Sequence, residues 1–478
     1  MAKTMKIIED RIGKNPDLII KKLNISMQSI NILFFETLCN TDNINDFLLD
    51  YLSYVKIKKK KILNLYEYVK EYVPCYNVKE IYSIDEIVNN LYSGFVVIII
   101  NEKYFAIEFK KTLDSGINTV DNEKVIKGPK DGFTENYQTN IGLIRKRIRN
   151  EKLCLEEMCV GEKSKTKVGI LYVSDIVSDK LVTLVKEKVK EIDIDSILDS
   201  NYIYEFIRND DSLFPTIIST ERPDLVSYKL LNGKIAIVVD NTPYVIVLPA
   251  FFMEFFHTMD DYYQNNKVVV YARIMRIIAF IISVSSPAIY IALITYNHEI
   301  IPTNLLINFT VQKEGVPFPT VIEALILSIT FEILRETDIR SPSTLGSALS
   351  IVGALVLGDA AVNAGLVSPI MVIIIAITSI SEMIFNINDV SNVIRLWRLL
   401  FMFLASIAGM IGVFIAIILL ISEICSINSF GVPFLYPIAP FDMVDQGNDI
   451  ALTEKYKLSL RNKLTAKKNR IRGQYGKI

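Results

Sequence analysis

The chain has 478 residues, a formal net charge of −1 and a hydrophobic fraction of 51%, too long for one core and therefore expected to hold several domains. The near-zero charge masks a split, because apolar residues concentrate toward the C-terminal half while everything before about Asn266 is charged and punctuated by turns. Only His257 and His298 are present, both close to the apolar stretches, which excludes a Ser-His-Asp or Cys-His catalytic system in the N-terminal region and argues against an enzyme.

Met1 to Lys6 lead into Ile7-Ile8-Glu9-Asp10-Arg11 without an apolar core segment. No cleavable signal peptide is expected, and the N-terminal region is expected in the cytoplasm. Cys39, Cys75, Cys154 and Cys159 fall in that region, where a reducing compartment keeps them as thiols. Cys154 and Cys159 lack a second ligand pair, so neither a metal nor a cofactor is expected.

The same α/β unit is written twice before residue 249. Ile30 to Phe35 is an apolar strand, Asp42 and Asn43 mark a turn, and Ile44, Phe47, Leu48, Tyr51 and Leu52 have the spacing of one buried helix face. The order recurs with the strand Lys167 to Val173, Asp175 at the turn, and Leu181, Leu184, Val185 and Val189 on a helix. Each copy ends in a hairpin, Phe95 to Ile100 with Tyr104 to Phe109, and Ile235 to Val239 with Tyr244 to Leu248. The expected domains are an α/β subdomain over 1–125 and a similar one over 126–248. Between them Gly128-Pro129-Lys130-Asp131-Gly132 lacks the spacing of a nucleotide-binding loop. It reads as a structural loop braced by Asn140 and Arg145, or as a contact between subdomains or subunits.

Residues 249–271 are rich in aromatics (Phe251, Phe252, Phe255, Phe256, Tyr262, Tyr263) and predict an interfacial helix at the headgroup level. A polytopic α-helical membrane domain over 272–441 follows, with spans predicted at 272–296, 345–363, 367–385 and 399–422. Residues 319–336 are apolar but carry Glu323, Glu332, Arg335 and Glu336, and predict a re-entrant or interfacial helix entered through Val316-Pro317-Phe318-Pro319. Helical spacing pairs Glu332 with Arg335 and Glu336 with Arg340. In the second span Ser350, Ala354, Gly358, Ala361 and Gly365 form a small-residue side for close packing. Val352, Val356, Asp359 and Asn363 lie opposite. Turned toward a shared axis, that stripe makes an aliphatic constriction and an acidic ring favouring cations. Alternatively, Asp359 hydrogen-bonds a neighbouring helix or sits at the interface.

With four spans, Arg273, Arg276 and the basic tail over 442–478 fall in the cytoplasm, while Arg335, Arg340, Arg395 and Arg398 fall outside, against the positive-inside rule. The tail is expected either to touch anionic lipid or to be a solvated extension. It lacks the ordered aromatics of a nucleic-acid binder.

Several collinear motifs carry a resemblance. They are Gly128-Pro129-Lys130-Asp131-Gly132-Phe133-Thr134-Glu135-Asn136, Thr220-Glu221-Arg222-Pro223-Asp224, Asp260-Asp261-Tyr262-Tyr263, Val316-Pro317-Phe318-Pro319, Phe331-Glu332-Ile333-Leu334-Arg335-Glu336, Gly353-Ala354-Leu355-Val356-Leu357-Gly358 and Ser429-Phe430-Gly431-Val432-Pro433. Together they resemble the family of spore germination receptor A subunits, closely over Lys124 to Pro440. The resemblance implies a subunit in the inner membrane of a dormant spore, beside a transporter-like B subunit and a lipoprotein C subunit. It further implies a homo-oligomer forming a nutrient-gated cation channel. The alternative is a non-conducting scaffold that relays a signal from the nutrient-binding partner to a separate channel.

Overall fold

The computed structural model describes residues 2–12, 15–25, 28–50, 52, 78–100, 103–111, 120, 123, 125–208, 212–340, 358–385, 388–442, 445 and 460–472. Two five-stranded antiparallel sheets form the N-terminal region. The first holds β1 (Leu18–Ile25), β2 (Gln28–Phe35), β3 (Val78–Ile81), β4 (Phe95–Ile100) and β5 (Lys103–Glu108) in the order β1-β2-β4-β5-β3. The second holds β6 (Leu153–Val160), β7 (Thr166–Val173), β8 (Ile218–Thr220), β9 (Ile235–Val239) and β10 (Val245–Leu248) in the order β6-β7-β9-β10-β8. Numbered within each unit, the two orders are identical. The recurrence read in the sequence is thus a recurrence of topology.

Strand alternation explains why each sheet is covered on both faces. Along β4, Val96, Ile98 and Ile100 join one core and Val97 and Ile99 the other. Helices α1 (Ala2–Ile12) and α2 (Ile84–Leu91) cover the second of these faces. Ser83 caps α2 by accepting the Glu86 N–H. In the second sheet, Val168, Ile170, Ile235, Ile237 and Val239 face α4 (Asp179–Lys190) and α5 (Ser200–Ile207). Its other face meets α3 (Tyr137–Arg147) and α6 (Pro223–Leu230), and that core runs on without a break into the C-terminal helices. The second sheet, not the first, is therefore joined to the bundle.

The bundle contains α7 (Asn266–Thr295), α8 (Thr303–Lys313), α9 (Thr320–Arg340), α10 (Pro369–Glu382) and α11 (Asn388–Ser426), with residues 358–363 also helical. Among the described residues two stretches are long and apolar enough to cross a membrane, Asn266–Thr295 with mean hydropathy 2.4 and Asp389–Ser426 with 2.8. The expected re-entrant or interfacial helix at 319–336 corresponds to the 21-residue helix α9. The expected single span at 399–422 is different, because α11 is broken at Gly409 (φ 58°, ψ −135°). A Cβ on Gly412 would lie 2.0 Å from the Leu404 carbonyl oxygen, whereas an unbroken helix would hold those residues about 12 Å apart along its axis. The chain thus doubles back. Polar groups freed at the break are taken up from the end of α7, where the Tyr296 hydroxyl donates to the Ser406 carbonyl (2.9 Å) and Asn297 Oδ1 accepts the Met410 N–H (3.1 Å).

The aromatic linker is not one interfacial helix. Phe252–Phe256 is a 3₁₀ turn, Asp260–Tyr263 a short helix, and Phe251, Phe255 and Phe256 are buried in protein. Phe252 packs on Phe214, Phe256, Phe280 and Phe434 at ring separations of 5.1–6.0 Å. The described part of the tail, 460–472, docks on the second α/β subdomain. The Thr465 hydroxyl donates to the Asn232 carbonyl (2.7 Å) and Lys468 Nζ to Asp179 (2.6 Å). At Gly233, in the left-handed region (φ 81°), an added Cβ would meet the Thr465 backbone at 2.8 Å.

Gly409→Ala forces a side chain into this left-handed conformation, 2.7 Å from Tyr296. A loss of about 1–3 kcal/mol is expected, measured as a lowered Tm of the full-length protein in detergent.

Candidate coupling site between the soluble region and the helical bundle

Three buried ionic clusters, at the subdomain interface, the bundle base and inside the bundle, link the parts of the chain. The first involves Arg145, on the last turn of α3, which is fully buried and reaches out of its own subdomain. Its Nη2 donates to Asp17 Oδ1 (2.7 Å) and Asn15 Oδ1 (3.3 Å), and its guanidinium lies 4.7 Å from the centroid of Phe35. A buried guanidinium needs a carboxylate partner, and here the partner belongs to the first subdomain. Asn140 acts locally, accepting the Thr134 N–H (2.8 Å) and donating to the Thr134 carbonyl (2.5 Å). Gly128 and Pro129 have another partner, because the Pro129 carbonyl accepts from Arg222 (3.1 Å) and a Cβ on Gly128 would strike Tyr263 at 2.5 Å. Gly132 is buried in the same loop. The loop therefore bears on the second subdomain and the linker.

The second cluster lies at the bundle base. Asp261 is 2% exposed and accepts from Arg273 Nε (3.0 Å), Arg276 Nη1 (2.9 Å) and Arg276 Nη2 (3.0 Å), tying α7 to the linker. Arg276 also donates to the Phe256 carbonyl (2.9 Å). Beside it Glu254 accepts from Lys229 (2.8 Å), from Lys234 and from the Phe251 N–H (3.0 Å). Burial alone would raise this carboxyl, but the two ammonium groups hold it down to about 2. Glu123 behaves oppositely, for burial pushes it up to about 7 despite the Thr220 hydroxyl and Arg222.

The third cluster is inside the bundle. Glu382, at the end of α10, accepts from Arg335 of α9 (2.7 Å) and from Arg395 (2.7 Å) and Arg398 (2.9 Å) of α11. Glu332 pairs with Arg395 (2.6 Å). The expected Glu332–Arg335 pair is thus replaced by partners on other helices, since tertiary packing offers each a less exposed mate. Glu336 and Arg340 do meet, at 2.5 Å, one turn apart and exposed. These arginines gather at the end of the bundle that carries Phe385, which packs on Phe256 (5.6 Å).

Of the predicted stripes, Ser350, Val352, Ala354 and Val356 lie outside the described residues. Asp359 and Asn363 are exposed, whereas Gly358, Ala361 and Gly365 are half-buried. The sequence did not single out Asp261 or Glu382 as hubs, nor a cleft of about 430 Å³ between the two subdomains. Lys110, Lys111, Lys146, Arg149 and Tyr92 are among its lining residues. Asp-Asp-Tyr-Tyr was read only as a motif, and a lone acid in an apolar run (Glu382) was the one available signal for the bundle cluster.

Asp261→Asn leaves the buried Arg273 and the half-buried Arg276 without a full countercharge, and about 3–5 kcal/mol of destabilisation is expected, measured by thermal unfolding against wild type. Glu123 has its folded value raised, so its protonated form favours the fold and stability falls as pH rises from 4.5 through about 7. Glu123→Gln should flatten the Tm profile over that window. The Glu254 contribution has the opposite sign, being complete above 4.5 and lost as pH falls toward about 2.

The family model described as "Bacillus/Clostridium GerA spore germination protein" matches residues 6–470. Spore germination protein KA of Bacillus subtilis is 37% identical over 450 residues, covering 92% of this chain and 82% of that protein. Spore germination protein GerLA of Bacillus cereus is 31% identical over 449 residues, covering 92% and 90%. The crystal structure of the N-terminal domain of the A subunit of the Bacillus megaterium spore germinant receptor GerK3 is 31% identical, covers 53% of this chain and 95% of its own, and superposes with a TM-score of 0.42. With nearly its whole length matched, this chain belongs to the GerA spore germination protein family.

Proposed function

We propose that this chain is the A-type membrane subunit of a nutrient-responsive receptor in the inner membrane of a dormant spore, with B- and C-type subunits as partners. Several copies form a ring, and residues 345–363 line a nutrient-gated cation path. The observation that carries this reading is the exposure of Asp359 and Asn363 on the same helical segment in which Gly358 and Ala361 turn toward the bundle. A carboxylate and an amide on the outside of an apolar bundle call for water or a partner, and a ring lumen supplies both.

The ionic contacts also support six passes, not four. α7 leaves the base held by Asp261 and ends at the Gly409 turn. α9 returns, since Glu323 near its start accepts the Ser368 N–H (2.9 Å) while Arg335 reaches Glu382. α10 runs from Ser368 to the Glu382 end, the two halves of α11 go out and return, and the proposed pore-lining stretch is read as the remaining pass. Every arginine of the bundle base then falls on one side, together with the docked tail, as the positive-inside rule asks.

Val352→Ala and Val356→Ala widen the aliphatic constriction, and are expected to release potassium from loaded vesicles several-fold faster than wild type without nutrient. A tight membrane in both variants, with assembly intact, would assign the chain the role of a non-conducting relay.

A further inference from the structure

We propose that residues 460–472 are a clamp on the base of the first long helix, exerted through a relay of four side chains, Arg472, Tyr228, Tyr262 and Arg273. The Arg472 guanidinium lies 5.4 Å from the centroid of Tyr228, on α6. The Tyr228 and Tyr262 rings are 4.4 Å apart, and the Arg273 guanidinium of α7 lies 5.9 Å from Tyr262. Each of two touching aromatic rings thus has a cation over it, a favourable arrangement at both ends of the relay. Tyr262 directly follows Asp261, the carboxylate that accepts from Arg273 and Arg276. The far end of the relay is therefore the joint between linker and bundle, and the clamp acts on it whether or not the chain conducts.

The strap is built to hold Arg472 in place. Leu460 and Ile471 pair in antiparallel fashion and the Arg461 N–H donates to the Arg470 carbonyl (2.7 Å), which closes the strap into a loop. Its middle is pinned, because Thr465 and Ala466 are buried and the Thr465 backbone lies close over Gly233. The grip converges on Asn232. The Asn232 carbonyl accepts the Thr465 hydroxyl (2.7 Å), its side-chain oxygen accepts from Arg472, and its side-chain amide donates to the Tyr228 carbonyl (2.9 Å). The strap thus holds Tyr228 twice, on the backbone through Asn232 and on the ring through Arg472. The Arg472 end is polar, in contrast to the pinned middle. A cavity of about 40 Å³ lies there, with Tyr228, Asn232, Tyr262, Asn462, Thr465 and Arg472 among its lining residues. That end can lift without opening the apolar core, which is the property a releasable clamp needs.

Amide hydrogen exchange of the full-length protein in detergent tests the clamp. Arg472→Ala is expected to speed exchange several-fold over residues 257–273, while α10 and the first sheet exchange as in wild type. Arg472→Lys, which keeps the charge but loses the flat guanidinium face, is expected to fall between. Lys468→Ala removes the strap's contact with Asp179, outside the relay, and is expected to leave 257–273 unchanged. Tyr262→Leu is expected to speed the same residues, and adding Arg472→Ala to it to give no further increase, because the relay is already cut. Should Tyr262→Leu not fold, Tyr228→Leu carries the same expectation. Wild-type exchange over 257–273 in Arg472→Ala overturns the proposal. So does a rise spread evenly over the protein, which is a loss of global stability, and so does a double variant in which the two effects multiply. An equal effect of Lys468→Ala overturns it too, since the strap then acts as a whole and not through Arg472.

Discussion

Charge that is buried must be paired, and in this chain several of the pairs join separate elements of the fold. Arg145 leaves its own subdomain to find Asp17, Arg273 and Arg276 of the first long helix find Asp261 of the linker, and three arginines of the bundle find Glu382. Each such pair is costly to break from one side, because the remaining charge cannot return to water. The consequence is that subdomain one, subdomain two, linker and bundle are joined at a few defined points. Between those points the interfaces are carried by apolar contact, which tolerates small adjustments far better.

The two sheets share a topology but not a situation. The first has separate cores on its two faces. One core of the second continues through Phe252, Phe256 and Phe280 into α7 and α11. The second subdomain shares a core with the bundle, whereas the first is joined to the second through polar contacts, Arg145 on Asp17, Arg11 on Glu151 (2.8 Å) and the Leu155 N–H on Asn15 (3.1 Å). The electrostatics of the linker fit the same division. Glu254 is locked as a carboxylate between two lysines, whereas Glu123, on the loop between the subdomains, is shifted toward neutrality.

Much of this was legible in the chain. The unbroken apolar runs Phe95 to Ile100 and Ile235 to Val239 announced strands, because a sheet buried on both faces leaves no polar alternation. The apolar runs announced the bundle, and the collinear motifs announced the family. Local spacing misled where tertiary packing decided. Glu332 and Arg335 are correctly spaced to pair along one helix, yet each is better satisfied by a neighbouring helix. Gly409 carries no local mark of a reversal, and its surroundings there depend on Tyr296 and Asn297, distant in sequence. The basic tail suggested lipid on charge alone, while its docking rests on Thr465 and the bare backbone of Gly233, which no count of charges reveals.

The route of the last residues has a developmental side. After α11 the chain comes back to the second subdomain, where the Ser429 hydroxyl donates to the Thr216 carbonyl (2.8 Å), the Phe252 N–H donates to the Phe434 carbonyl (2.9 Å), and Thr465 covers Gly233. On a ribosome Ser429, Phe434 and Thr465 emerge after every helix of the bundle. The unit begun before residue 249 therefore stays unfinished until those helices have been made, which ties its completion to theirs.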